Sequence, residues 1–516
     1  MITGVFEVKD KDLASRIGYI YTKTGKILTP TLLPVINPVR QEIKPSEIID
    51  LGFQALITNA YLIRRYRCRE ALEKGVHKLL GVDKPVMTDS GAYQILQYGD
   101  VEVTNEEIVK FQEQIDSDIA VILDVPTGGL ASREEAEYTV KETLRRAEEA
   151  SKIRSRDDIL WVLPIQGGTY LDLLEYSVKK GLKLPYHIVA IGSPTQLMER
   201  YDFETLIKMI ATVKVNVPPG TPIHLFGAGH PMMLAFAIAL GVDLFDSAAY
   251  ILYAKDERYM TPWGTYRLKE ISEFPCSCPI CVKYTPTEIR ELSVNEKMSL
   301  IAKHNLYVTL MELKRIRQAI REGRLWELLE EKSRVHPSLH RAFKVLGEYK
   351  DYLELLDPEV KGLVQGVFFY DNLSLSRPEL LRYRRRILER YVKPKGYDKL
   401  IVIVGLKDKP YIRSHLYELL KNKFKDRHVV FYTPFYGVIP EELAETYPLS
   451  QFEVGAYDDM VERESINLLI DYVRKEKYKE VLLIYLDEAK TVARKIYLRM
   501  LRLNVKCNIR SHKSYM

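Results

Sequence analysis

The chain has 516 residues, of which 46% are apolar and 28% charged, with a formal net charge of +6. That length predicts a large domain plus a smaller one, the proportions are those of an ordinary soluble protein, and the mildly basic balance permits a polyanionic partner. No apolar run approaches the roughly 20 residues that span a bilayer, and the N-terminal MITGVFEVKDKD has no basic stretch followed by an apolar one, so neither a membrane span nor a secretory signal is expected and the protein is assigned to the cytoplasm.

The first 250 residues contain eight short apolar runs: LLPVI (32–36), ALIT (55–58), PVMT (85–88), DIAVILD (118–124), ILWVLPIQ (159–166), HIVAIG (187–192), PIHLFG (222–227) and VDLFDS (242–247). Helix-like segments such as NEEIVKFQEQI (105–115) and REEAEYTVKETLRRAEEASKIR (133–154) lie between most of them. Alternating strand and helix patterns imply a parallel sheet. A doubly wound open sheet is the alternative; the count of eight favours a (β/α)8 TIM barrel. Chemically useful groups stand at or just past the ends of six runs: Asp89, Asp124, Gln166, the Ala190–Gly192 backbone, Gly227–Gly229 and Asp246. Any one of them could merely start a loop or cap a helix. Three carboxylates and a glutamine at strand ends together point to one pocket on the C-terminal face of a barrel.

Cys276, Cys278 and Cys281 form C-x-C-x2-C, while Cys68 and Cys507 stand apart. In a reducing cytosol, clustered cysteines suggest a metal rather than disulfides. A tetrahedral zinc needs a fourth ligand. His304 shares a helical face with Leu300, Ile301, Val308 and Met311; a lone histidine on an apolar face is usually a core residue, but the incomplete cysteine cluster makes it the expected fourth ligand. An iron–sulfur cluster is the rival reading. A zinc deaminase would require H-x-E, and none occurs. A closed Cys3His site leaves no position for water, so one structural Zn2+ is expected.

A helical stretch follows over about residues 285–395, then a new α/β pattern with KLIVIVGL (399–406), HVVFYTP (428–434) and KEVLLIYL (479–486) as buried strands. The expected organisation is a catalytic barrel over 1–345 with a zinc-binding subdomain at about 270–310, a helical or linker segment over 346–396, and a C-terminal α/β domain over 397–516. VGLKDK contains no GxGxxG, so there is no case for a dinucleotide site. The thirteen residues from Asn504 cannot bury a core of their own, so no further domain is expected after the helix-like 488–503.

Carboxylates at strand ends suit glycosidic chemistry. One can trap the positive sugar carbon covalently while another group manages the proton on the departing base. A further carboxylate, Asp124, could accept from the N1–H and exocyclic amine of a guanine.

The strings TDSGAYQ (88–94), ILDVPT (122–127), PIQGG (164–168), VAIGS (189–193), GVDLFDSAAY (241–250) and CSCPIC with its downstream histidine occur in one order. Over roughly residues 1–310 this resembles the tRNA-guanine transglycosylase family. LLPVINPVR (32–40), YGDVEVTNEEIVKFQ (98–112) and the long C-terminal extension resemble its archaeal branch. The resemblance implies a barrel with a zinc-binding insertion and a covalent RNA–enzyme intermediate. It assigns Asp246 as nucleophile and Asp89 as general acid/base, with Asp124 reading the guanine-type edge. Gln166, Ser90, Ala190 and Gly192 are implied as further substrate contacts, and Tyr93 as the ring that stacks on the base. The implied reaction is exchange of guanine at position 15 of the tRNA D-arm for 7-cyano-7-deazaguanine, by a homodimer. An archaeosine-synthase-like paralogue and a non-catalytic tRNA-binding subunit are the rivals; both are opposed by the presence of the carboxylates. His187 and Ser193 depart from the bacterial pattern, which has Gly and Glu there.

Archaeal members often end in an RNA-binding PUA domain, and this chain is expected to stop before one; a separate PUA-type protein could act in trans. For tRNA phosphates the candidates are Lys314, Arg315, Arg317, Arg321 and Arg324 in one stretch, Arg382, Arg384, Arg385, Arg386 and Arg390 in another, and the basic tail from Arg494 to Lys513.

Overall fold

A computed structural model describes residues 5–92, 103–361, 363, 366–503 and 505–515, and divides the chain into two compact units, Met1–Tyr352 and Leu353–Met516. Three antiparallel strands come first: β1 (Phe6–Asp12), β2 (Ser15–Tyr21) and β3 (Lys26–Thr29). Eight parallel strands then close into a barrel: β4 (Thr31–Ile36), β5 (Leu56–Asn59), β6 (Val86–Asp89), β7 (Ile119–Val121), β8 (Leu160–Ile165), β9 (Ile188–Ile191), β10 (Ile223–Leu225) and β11 (Leu244–Ser247), with β11 pairing back onto β4. The TIM-type barrel expected from the eight apolar runs is the observed fold.

Each barrel strand is buried on both faces, which is why it reads as a continuous apolar run. Ile57, Met87, Ile119, Val121, Val162, Ile188 and Ala190 share one core cluster inside the barrel. Ile20 and Ile27 of the antiparallel sheet join that cluster. Thr24 N–H donates to Asp118, the residue just before β7 (3.0 Å), so the small sheet covers the N-terminal end of the barrel. The opposite end, where the strands finish, is left for chemistry. A second anchor at the covered end is the buried pair of Arg16 and Asp243, where Arg16 Nε donates to Asp243 Oδ1 (3.1 Å) and Ile223 N–H donates to Oδ2 (2.8 Å). Among the described residues, no helix is long and apolar enough to cross a membrane.

After the barrel, the hairpin β12 (Arg258–Thr261) and β13 (Gly264–Arg267) leads to the cysteine cluster and to the 28-residue helix Val294–Arg321. Gly323 (φ 65°) separates that helix from Leu325–Ser333.

The second unit holds β14 (Val367–Phe369), β15 (Lys399–Val404), β16 (Arg427–Tyr432), β17 (Ile439–Pro440), β18 (Phe452–Val454), β19 (Glu480–Tyr485) and β20 (Lys506–Ser511). Five of them form one sheet in the order β17-β16-β15-β19-β20, parallel except for β17. Alternate residues of β15 enter opposite cores, Leu400, Val402 and Val404 on one face and Ile401 and Ile403 on the other, as in a sheet covered on both sides. The boundary read near Gly396 does not coincide with the break in contacts after Tyr352. The helix Pro378–Glu389 carries Leu380 and Ile387 into the two cores of the second unit. An amphipathic helix that buries its apolar stripe in a domain is part of that domain, not a linker.

Candidate active site and metal centre

Asp89 is the last residue of β6, and its register partner on β5 is Asn59. Asn59 Nδ2 donates to Asp89 Oδ2 (3.4 Å), and Gly91 N–H donates to the same oxygen (3.1 Å). Burial first, and then the charges of Asp124 and Asp246, push the Asp89 carboxyl up to about 7. A carboxylic acid that titrates near neutrality can both give and take a proton. The hydroxyl of Ser90 is buried beside it with no hydrogen-bond partner among the described residues. Tyr93 lies outside the described residues.

Asp246 stands on β11. Its Oδ1 accepts from His224 Nε2 (2.9 Å) and from Gly227 N–H (2.9 Å). His224 on β10 is fully buried, and its other ring nitrogen has no partner among the described residues. Gly227 has φ 65°, the left-handed region that glycine enters without strain, and this conformation accompanies the donation of its N–H to the carboxylate. The pair of donors fixes one oxygen of Asp246; Oδ2 carries no hydrogen bond among the described residues.

Asp124 follows β7 and is 4% exposed. Burial raises its carboxyl to about 6 against the lowering effect of Gln166, whose Nε2 donates to Asp124 Oδ2 (2.6 Å). Gln166 Oε1 in turn accepts from Thr127 N–H (2.9 Å) and from Ser193 Oγ (3.1 Å). Gln166 therefore holds Asp124 in place. Gly192 enters this arrangement through space rather than as a donor: its N–H is given to Ile165 O (3.0 Å), and a Cβ there would stand 2.3 Å from Gln166 Nε2. Ala190 sits in the barrel core on β9. His187 precedes that strand and accepts from Trp161 N–H (3.0 Å), away from the strand ends. Sequence reading missed Asn59, Thr127 and His224. The signal for His224 was a polar residue inside the otherwise apolar run PIHLFG.

Cys276, Cys278, Cys281 and His304 offer ligand atoms that all lie within 4.8 Å of one another. Cys278 Sγ is 3.6 Å from Cys281 Sγ, and His304 Nδ1 is 3.5 and 3.3 Å from those two sulfurs. A tetrahedral ion with metal–sulfur bonds of about 2.3 Å sets sulfur–sulfur edges of about 3.8 Å and sulfur–nitrogen edges of about 3.5 Å. The four side chains thus fit one metal ion. Outer contacts orient the histidine: Nε2 faces Met260 O (2.8 Å), which leaves Nδ1 for the metal, and the Tyr259 ring stacks on the imidazole at 3.7 Å. The neighbouring Asn305 accepts from Met260 N–H (2.9 Å) and donates to Tyr250 O (3.1 Å).

The basic stretches divide sharply. Arg382 is buried and donates to Glu354 (3.1 Å) and to Asp357 O (2.9 Å). Arg384 donates through Nε and Nη2 to Phe435 O (2.8 and 2.6 Å). Arg317 is buried against Pro30 O (2.7 Å). The burial of Arg382 and Arg317 corrects the expectation that they meet phosphates, and Arg384, partly buried, turns two of its donors onto a carbonyl of the fold. Arg385 and Arg386 pair with Glu354 and Glu359, whereas Lys314 is exposed.

A family profile described as queuine tRNA-ribosyltransferase matches residues 11–338, and one described as a domain of unknown function matches residues 380–514. The chain is 47% identical over 487 residues to a tRNA-guanine(15) transglycosylase of Sulfolobus acidocaldarius, covering 93% of this chain and 95% of the relative. A protein of the same description from Aeropyrum pernix is 47% identical over 453 residues, 87% of each chain. One from Methanocaldococcus jannaschii is 42% identical over 485 residues, 91% of this chain and 72% of the relative. With an eight-stranded barrel, acidic residues gathered at its strand ends and a Cys3His cluster beside it, the chain belongs to the queuine tRNA-ribosyltransferase family, whose members are tRNA-guanine transglycosylases.

Proposed function

We propose that this enzyme exchanges guanine at position 15 of tRNA for 7-cyano-7-deazaguanine through a covalent link between Asp246 and the ribose. The observation that carries the reading is the contrast between two carboxyls: Asp246, with one oxygen tied down by His224 and Gly227 and the other open, and Asp89, pushed up to about 7. The open oxygen of Asp246 attacks C1′ as the bond from C1′ to N9 of guanine breaks, and its electron pair goes to the base. Asp89, entering as the neutral acid, supplies the proton to the departing base. As a carboxylate it then takes the N9 proton of the incoming deazaguanine. That nitrogen attacks C1′, and Asp246 leaves with the electron pair of the ester bond. The reaction ends with one base exchanged and both carboxyls restored.

Asp124 accepts from the N1–H and amine edge shared by guanine and its deaza analogue, and Gln166 holds it for that task. The unpartnered Ser90 hydroxyl is a further contact for the base or ribose. Zn2+ is the proposed occupant of the Cys3His cluster; with all four positions filled by the protein it stabilises the fold and offers no place for a reacting water.

Labelled guanine supplied to an unmodified transcript tests the reading, since guanine-for-guanine exchange needs no modified base. Label enters a transcript carrying G15 and fails to enter one with G15 replaced by A. Equal incorporation into both transcripts would refute position 15 as the target.

A further inference from the structure

The second unit carries a cleft of about 550 Å3 where β19 and β20 end, lined by Tyr485, Lys490, Arg494, Tyr497, Ile509, Arg510 and two serines. No carboxylate lines it. Lys490, Arg494 and Tyr497 occupy one face of the helix Lys490–Met500 at i, i+4 and i+7, and Arg510 of β20 also lines the cleft. Exposed cations are ordinarily solvated or paired. On this same helix, Lys495 pairs with Glu462, and Arg499 donates to Asn467 (2.6 Å). Lys513 pairs with Asp487 (2.6 Å) at the rim. Among the described residues, the three cations in the cleft have no ion-pair partner. Charge is paired around the cleft, whereas within it Lys490 only influences Asp487 through space. Tyr485 and Tyr497 line the same cleft, and ring surface beside cations is the combination by which proteins hold single-stranded nucleic acid.

We propose that this cleft is an RNA subsite in which Lys490, Arg494 and Arg510 take a backbone phosphate while Tyr485 and Tyr497 supply ring surface for an unstacked base. The RNA is tRNA, a point that rests on the function proposed above. The site gives the second unit a role: binding energy gained there helps hold a tRNA whose target base must leave its stack.

The test uses the full chain and an unmodified tRNA transcript, with binding followed by fluorescence anisotropy across a salt series. Arg494→Gln/Arg510→Gln weakens binding about tenfold and lowers the slope of log Kd against log salt by about 1.5. Lys495→Gln/Arg499→Gln removes the same charge from the other face of the helix and binds as wild type. Equal behaviour of the two double variants, whether both unchanged or both weakened, overturns the proposal. A wild-type chain that binds the transcript in this series but exchanges no guanine would count against the proposed function and not against the cleft. Titration with 5′-AMP distinguishes a free nucleotide as occupant: tight AMP binding that Arg494→Gln/Arg510→Gln abolishes, with tRNA binding intact, rules out the RNA subsite.

Discussion

His224 Nε2 lies 2.9 Å from Asp246 Oδ1, so a fully buried imidazole on β10 orients the carboxylate of the adjacent strand. His224→Ala leaves Gly227 N–H as the remaining donor to that oxygen. A carboxylate misplaced by about 1 Å costs on the order of 100-fold in rate. The expected result is that loss in kcat for guanine exchange, with KM for tRNA nearly unchanged, and partial recovery in His224→Gln, whose amide can donate from a similar distance. A loss confined to KM would remove His224 from this role.

Asp246→Ala is expected to eliminate both exchange and the tRNA adduct that survives denaturing electrophoresis. Asp89→Ala is expected to eliminate turnover as well. An adduct persisting in Asp246→Ala would transfer the nucleophile's role to another carboxylate.

The Asp89 carboxyl titrates at about 7 in the fold against an ordinary 3.8. Between those values the folded chain holds a proton that the unfolded chain has released, so stability falls as pH rises through this window. About three units at 1.36 kcal/mol each set a ceiling of about 4 kcal/mol for the cost above pH 7. Asp89→Asn therefore raises the melting temperature at pH 8 and leaves it nearly unchanged at pH 4. Single-turnover adduct formation, which draws on the neutral acid, falls tenfold per unit above about pH 7. Asp124→Asn removes one of the charges that hold Asp89 protonated and shifts that limb to lower pH. A wild-type profile flat from pH 6 to 9 would contradict the assignment.

Elemental analysis should return one zinc per chain. Cys281→Ser should destabilise the barrel unit by several kcal/mol, because metal binding and local folding are coupled. Iron, or a metal-free protein of undiminished stability, would refute the zinc assignment.

Arg382→Ala is expected to act on stability rather than on tRNA. It removes one cation from the buried Glu354 and Asp357, which keep Arg385 and Lys361 as partners, and losing the hydrogen bonds of one charged member of such a network costs about 2 kcal/mol. Chemical denaturation should show that loss while tRNA affinity stays at the wild-type value. The reverse pattern would restore Arg382 to the RNA interface.

The parts of this structure that were legible in the sequence are those where one residue type can serve only one place. The barrel strands are buried on both faces, so they read as unbroken apolar runs, and acids such as Asp89 and Asp246 stand out at their ends. The three antiparallel strands before the barrel were not read as strands, because β1 is FEVKDKD, a charged edge with little to bury. β20 escaped for the same reason: in KCNIRS only Cys507 is buried. Arginine was the least legible residue. The guanidinium of Arg382 within a basic run looks the same whether it meets a phosphate or, as here, Glu354 on a neighbouring helix and Asp357 just past its end. Distance along the chain hides that difference, since the partners lie 28 and 25 residues away.

Met260 lies between two consecutive residues of one helix, its carbonyl against the His304 ring and its N–H given to Asn305. The helix and the hairpin are thus joined by side-chain-to-backbone hydrogen bonds that need no ion. His304 presents its free nitrogen before any metal arrives, and the short turn carrying Cys276, Cys278 and Cys281 is the part left to settle. Metal capture becomes a latch on a frame already assembled: a chelated chain should keep its barrel, lose order chiefly around that turn, and regain it when the ion is returned, without unfolding in between.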